Sequence, residues 1–390
     1  MTSSKNSHRR ATILAGIADT NNTLYWRVGF SAGDPMAIVE LPEDKGGQSI
    51  LILRDIEMKR ARQSARVDRV ACPAEFEPET GLSGDRETAT AQAAAECLSR
   101  AGVRSVIADR TLPLIFAEMI HKAGIAVECD TDMYVRERRS KSDDEIEHLL
   151  HAQQTTHGAV EMACRLIASA QADADGTLLH KGEPLTAERV RLAIDLYFLE
   201  RNFTNPPSII ACGSAGADCH NGGSGPLRTG SPVIVDIFPR SRETRYCGDC
   251  TRTVVHGDIS DEILAMHATV RAAKAAATAK VSAGVTGEAI HRETLRVIQD
   301  AGYEVGLHGE EDPLSRCSMP HGTGHGIGLD VHEPPLLDFK GPKLIAGDAV
   351  TIEPGLYRRD MGGVRVEDIV VVTDDGCLLL GDLDEGLVWA

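Results

Sequence analysis

Between His321 and Glu333 the chain reads HGTGHGIGLDVHE, three histidines interleaved with four glycines, and no other stretch restricts the fold so sharply. Four glycines so close together make a helix unfavourable, despite the four-residue spacing of His321 and His325. A loop and a strand must therefore aim these imidazoles, on a backbone able to approach a bound group closely. Four carboxylates add a second restriction. Asp236 interrupts the apolar run Ser231–Phe238, and Asp249 leads into the strand-like Thr251–Val255. Glu353 ends a strand-like run at the Pro354–Gly355 turn, and Glu367 lies within Val364–Val372. A charge inside such a run is costly to bury unless it is paired or bound to a metal.

Read singly, these acids are unremarkable. Asp236 and Asp249 would be turn or salt-bridge residues, and a period of two over Val364–Val372 puts Arg365 and Glu367 on one sheet face as an ion pair, with Asp368 on the other. Read together, four carboxylates and one imidazole supply the mixed oxygen and nitrogen donors that a pair of divalent ions requires. Clustered without cations, the same acids would be expensive to desolvate. Two divalent ions offset four negative charges and make a water nucleophilic near neutral pH. Mn, Co, Fe or Zn suits these donors better than a thiolate-bound metal does.

The 390 residues, 42% hydrophobic and 25% charged, suit two or three domains of an ordinary globular protein. In the first third, Ala37–Leu41 and Ser49–Leu53 read as neighbouring strands separated by Pro42 and the Gly46–Gly47 breaker. A helix over Glu87–Ala101 and strands at Ser105–Ala108 and Ile125–Val127 follow, which is an α/β alternation. No glycine-rich phosphate loop accompanies it, so nucleotide binding has no support. The basic run Val135–Ser142 stands directly before an acidic helix start, with Ser142 as N-cap. It marks a boundary between domains spanning 1–137 and 138–390. Helices are expected at 143–170, 187–201, 260–282 and 287–301. In the last of these, Ile290, Thr294, Val297 and Ile298 form the core stripe, with His291 off it. Each helical pair is followed by strand-like sequence, which hints at a duplicated half.

Charge and cysteines exclude further classes. Lys plus Arg number 41 against 58 Asp plus Glu, a net charge of −17 that repels nucleic acid and anionic lipid. No run approaches the roughly 18 apolar residues of a membrane span. Too few apolar residues follow Met1–Arg10 for a signal sequence, so the expectation is a cytoplasmic protein with a frayed, polar opening segment. Ten cysteines scattered over so long a chain read mostly as buried free thiols. Cys247 and Cys250 form a CxxC without a second pair for structural zinc, and Cys212 and Cys219 are too far apart to be one.

From Arg139 to the C-terminus this pattern resembles the pita-bread metallopeptidases, which include aminopeptidase P, prolidase and methionine aminopeptidase, and their relative creatinase. The segment Asn22–Phe30 (NTLYWRVGF) is similar to the N-terminal domain of aminopeptidase P, prolidase and creatinase, a domain that methionine aminopeptidases lack. The resemblance implies an α/β N-terminal domain followed by an α+β pita-bread catalytic domain. The family's five metal ligands fall on Asp236, Asp249, His325, Glu353 and Glu367, a set that creatinases lose. By that resemblance Asp236 holds one ion, His325 and Glu353 hold the other, and Asp249 and Glu367 are shared between them. Glu353 would also act as general base.

The resemblance places His220 near the scissile carbonyl, His332 on the developing oxyanion and His321 against the pocket or its loop. Arg365 would hold Glu367. The implied activity is hydrolysis of the N-terminal Xaa-Pro bond of peptides with two divalent ions, manganese first and cobalt, zinc or iron as alternatives. The implied partners are a peptide with proline at its second position and a second copy of the chain. An Xaa-Pro dipeptidase is the alternative activity, and a non-catalytic peptide-binding module on the same fold is the rival of another class. Two departures stand out. The loop from Asp236 to Asp249 is longer than in the family, with Phe238 where a small residue is usual. Glu333–Leu336 supplies no arginine for a dipeptide's carboxylate, leaving Arg358 and Arg359 as candidates.

Overall fold

The computed structural model of the chain describes residues 10–389, so the frayed opening segment expected from the sequence falls outside the described residues. The described chain divides into two compact units, with the division between Arg138 and Arg139.

In the first unit six strands form one sheet, in the order Arg69–Ala71, Ser49–Ile52, Met36–Glu40, Ala11–Gly16, Ser105–Ala108, Ala126–Cys129. Met36–Glu40 runs antiparallel to both its neighbours, and the other three pairings are parallel. Ile13 and Val39 pack with Ala94, Leu98 and Phe116 on one face. Leu14 and Ile38 pack with Leu24 and Val28 on the other. Burial of both faces explains why these strands read as unbroken apolar runs rather than alternating ones. The alanine-rich helix Arg86–Arg100 begins where Thr88 N donates to Asp85 Oδ1 at 2.8 Å. In the helix Asn22–Val28, Trp26 sets its ring 5.8 Å from that of Tyr134.

The second unit carries the expected helices as Asp143–Ala168, Ala187–Leu199, Asp261–Lys280 and Gly287–Asp300. Ser142 starts the first with a reciprocal cap: Glu145 N donates to Ser142 Oγ at 3.4 Å and Ser142 N donates to Glu145 Oε2 at 2.8 Å. The first two helices bury Val160, Cys164, Val190 and Phe198 against Val233 and Val235 of an antiparallel sheet, Ile209–Cys212, Pro232–Ile237 and Cys250–Val255. Trp389 closes that core. The second helix pair lies against two more sheets. One orders Glu304–Val305, Cys317–Met319, Gly355–Arg358 and Gly362–Arg365; the other orders Glu333–Leu337, Gly324–Gly326, Ala349–Ile352, Asp368–Val372 and Cys377–Leu379.

Two expectations need correction. His291 is not off the buried stripe: it is 2% exposed, with Nδ1 3.0 Å from Thr323 Oγ1 and its ring edge-on to Phe339 at 4.8 Å. Residues far along the chain cover that flank of the helix, which one helix's periodicity does not register. All ten cysteines are unpaired, but four are buried, five half-buried and Cys129 exposed.

Candidate metal centre

Strand Pro232–Ile237 runs between its two antiparallel neighbours, and Asp236 stands near its end opposite Ile209 and Thr251. Asp236 Oδ2 accepts from Arg365 Nη2 at 2.6 Å, whereas its Oδ1 is buried with no hydrogen-bond partner. Asp249 lies one residue before the strand Cys250–Val255. Its backbone is clamped by Gln153, which accepts from Asp249 N at 2.9 Å and donates to Asp249 O at 2.7 Å. Gln153 comes from the inward face of the helix Asp143–Ala168 and is fully buried.

His325 occupies the short strand Gly324–Gly326, and the flanking glycines are a steric requirement. A Cβ at Gly324 would stand 1.9 Å from Thr351 O, and one at Gly326 would stand 2.4 Å from Pro334 O. His325 Nδ1 lies 3.1 Å from Gly326 O, and a carbonyl only accepts, so Nδ1 carries the hydrogen and the Nε2 lone pair is free. That Nε2 faces Glu353 Oε1 at 3.4 Å and Asp249 Oδ2 at 3.7 Å. Burial disfavours protonation of this ring. Glu353 follows the strand Ala349–Ile352; its N donates to Thr323 O at 2.8 Å and its Oε1 accepts from Thr351 Oγ1 at 3.2 Å.

Val364–Val372 is not the single strand expected from its periodicity. It breaks into Gly362–Arg365 and Asp368–Val372, which belong to different sheets, and Glu367 sits in the passage between them. Arg365 does not hold Glu367 directly. Its guanidinium goes to Asp236, to Tyr357 Oη at 2.8 Å and to Cys219 O at 3.2 Å. Arg365 Nε also donates to Thr251 Oγ1 at 3.2 Å, and that hydroxyl donates to Glu367 Oε2 at 2.7 Å. Arg365 thus reaches Glu367 through Thr251, because the strand break turns Glu367 toward the neighbouring strand. Arg252 Nη1 fixes the Glu367 carbonyl at 2.6 Å.

All nine residues singled out from the sequence line one cavity of about 480 Å³: Asp236, Asp249, His325, Glu353 and Glu367, with Arg365, His220, His321 and His332. His332 is exposed at the cavity and its ring lies 4.2 Å from that of His325. His220 is an exposed loop residue whose N donates to Asp218 Oδ1 at 3.0 Å. His321 Nδ1 meets Gly322 O at 2.7 Å, so its Nε2 accepts from Tyr357 Oη at 2.8 Å. Burial pushes His321 down to about 3, so its ring is neutral. Sequence reasoning missed Gln153, Thr251 and Tyr357. Gln153 left a signal, a polar residue in register with buried Leu149, Thr156 and Val160 on one helix face.

The donor set fits divalent cations. Donor atoms of Asp249, His325 and Glu367 lie within 4.8 Å of one another. Burial first, then the neighbouring carboxylates, pushes Asp249 and Glu367 well above the usual carboxylate range. Burial, helped by Asp236 and opposed by Arg365, pushes Glu353 up to about 7. Carboxylates that resist ionising together, beside an orphaned Asp236 oxygen, call for positive charge that the lone guanidinium does not supply. The CxxC has no such character. Cys247 and Cys250 point their thiols at the carbonyls of Leu329 and Glu367, and burial raises both. Cys250, His157 and Asp368 are also close together, but Arg252 and Lys274 already pair with Asp368 there.

The model of metallopeptidase family M24 matches residues 147–374, more than half of the chain. A probable dipeptidase PepE of Mycobacterium tuberculosis is 35% identical over 182 residues, a match spanning 46% of this chain and 45% of that protein. The alignment thus spans less than half the length of that curated relative. An Xaa-Pro dipeptidase of Pyrococcus horikoshii is 28% identical over 297 residues, 74% of this chain and 76% of its own. Among solved structures, an X-Pro aminopeptidase of Thermotoga maritima superposes with a TM-score of 0.77 at 22% identity, covering 97% of this chain and 96% of that one. That likeness bears on the fold, and it bears out an α/β unit followed by an α+β pita-bread unit.

Proposed function

The chain belongs to metallopeptidase family M24, and from that premise we propose that it hydrolyses the bond before a proline at the second position of peptides. One observation carries the reading: four carboxylates and an unprotonated His325 nitrogen, from separate segments of the chain, converge in one cavity with Asp236 Oδ1 left unpartnered. In this reading Asp236, Asp249, His325, Glu353 and Glu367 hold two divalent ions, manganese first among Mn, Co, Zn and Fe. Bound there, the ions would polarise the scissile carbonyl and lower the pKa of water enough for attack near neutral pH.

The chain's own residues do the rest. Glu353 takes a proton from the attacking water and delivers it to the departing proline nitrogen. His332, exposed at the cavity, donates a hydrogen bond to the carbonyl oxygen as charge develops on it, and His220 approaches the same group from its loop. Thr251 and Arg365 hold Glu367 and Asp236 in place. Pro206, Ile209, Phe238 and Leu336 form an apolar wall for the proline ring, whose fixed φ and missing N–H distinguish it from other residues.

The names of similar proteins support dipeptidase and aminopeptidase readings equally. A peptide-library digest with added Mn or Co, read by mass spectrometry, tests the proposal. Release of first residues only before proline is expected, and cleavage elsewhere or none at all would sink it. Turnover of an Xaa-Pro dipeptide against a tripeptide then separates the two activities, the tripeptide being the expected substrate. By family resemblance the reading includes a cytoplasmic homodimer. No helix among the described residues is long and apolar enough to cross a membrane. Light scattering of the purified protein checks the dimer.

A further inference from the structure

The cavity contains one carboxylate that the metal reading leaves over. Asp338 follows the strand Glu333–Leu337 and lines the same cavity, with its side chain 42% exposed. It packs directly on the His321 segment, where a Cβ at Gly322 would stand 3.2 Å from the carboxylate carbon. Phe339 N donates to Asp338 Oδ1 at 2.6 Å, and His291 Nε2 faces that same oxygen at 3.4 Å. His291 adds little charge, because burial opposes its protonation more than Asp338 favours it. No lysine lines the cavity among the described residues, and the one arginine there, Arg365, is committed to Asp236, Tyr357, Thr251 and Cys219. A solvent-facing acid on the wall of a substrate cavity, with no cation of its own, selects what enters by charge.

We infer that Asp338 is a specificity residue that recognises a cationic group on the substrate, an ammonium or guanidinium carried by a side chain next to the Xaa-Pro bond. This deepens the peptidase reading of the same cavity and rests on it. The basic side chain has two sources, the first residue or the one after proline, and both present the same chemistry to Asp338.

The test uses the full chain loaded with Mn and two peptide series, Xaa-Pro-Ala and Ala-Pro-Xaa, with lysine, norleucine or glutamate as Xaa. In one series kcat/KM should favour lysine over norleucine by about fivefold, the scale of a partly exposed ion pair, with glutamate last. The series that shows the order identifies the source. The preference should shrink at about 0.5 M salt, where exposed charges are screened. Asp338→Asn should collapse the lysine-to-norleucine ratio, and Asp338→Lys should put glutamate ahead.

Equal kcat/KM for all three side chains in both series would overturn the inference while leaving the peptidase reading intact. So would a preference that survives in Asp338→Asn, or one indifferent to salt in the unaltered protein, which requires no variant to fold. Failure to cut any of these peptides would remove the reading and the inference together.

Discussion

In the proposed reaction two demands meet at Glu353, since the side chain would give its proton up for a cation to bind and take one back during hydrolysis. Burial beside Asp236 sets it near neutrality, where a carboxyl can do both. Glu353→Gln keeps the shape and removes the base, so kcat should fall by roughly 10²–10⁴ while the protein stays folded, as read by peptide turnover and circular dichroism. His332→Ala should lower kcat by about 10²-fold with metal affinity little changed, because the ring is placed to meet substrate. Thr251→Val should do the reverse, weakening metal binding by roughly 10–100-fold in calorimetry, since it cuts the link from Arg365 to Glu367. These acids were legible in the sequence because a charge in an apolar run needs a reason. Thr251, Gln153 and Tyr357 carry no charge, and their roles arise only where distant strands meet. The pairing of Arg365 with Asp236 instead of Glu367 was hidden for the same reason, as was the burial of His291 under Phe339.

At the scale of elements, local chemistry was the better guide. The Ser142 cap, the helices and the glycine-bound strand under His325 follow from short-range rules, whereas the break after Arg365 follows from which sheet each half joins. A period of two describes one strand and is silent about a chain that changes sheets. The Gly324 strand passes so close to Thr351 that Gly324→Ala should destabilise the protein by about 3 kcal/mol and misplace His325. A lowered thermal midpoint together with lost metal binding checks this. Ser142→Ala removes one half of a reciprocal cap and should cost about 1 kcal/mol in denaturant melts, with metal affinity unaltered.

For the whole molecule the clustered acids couple stability to both pH and metal. Asp249, Glu353 and Glu367 hold protons more tightly folded than unfolded, so the stability they contribute is complete below the ordinary carboxylate range and is lost as pH rises through their raised values, for Glu353 through about 7. The metal-free protein should therefore melt progressively lower across that window. Manganese at about 100 times its pH 7.5 dissociation constant should restore roughly 2.7 kcal/mol at that pH, a rise on the order of 5–10 °C, and the same concentration should restore less at pH 5, where protons compete for the carboxylates. Calorimetry with and without chelator checks both the sign and the window. The placement of the two tryptophans makes such a measurement selective. Trp26 belongs to the first unit beside Tyr134, and Trp389 is packed in the core of the second. Replacing Trp26 with phenylalanine leaves indole emission to the metal-holding half alone, so its loss of fluorescence intensity can be timed apart from that of its covalent neighbour.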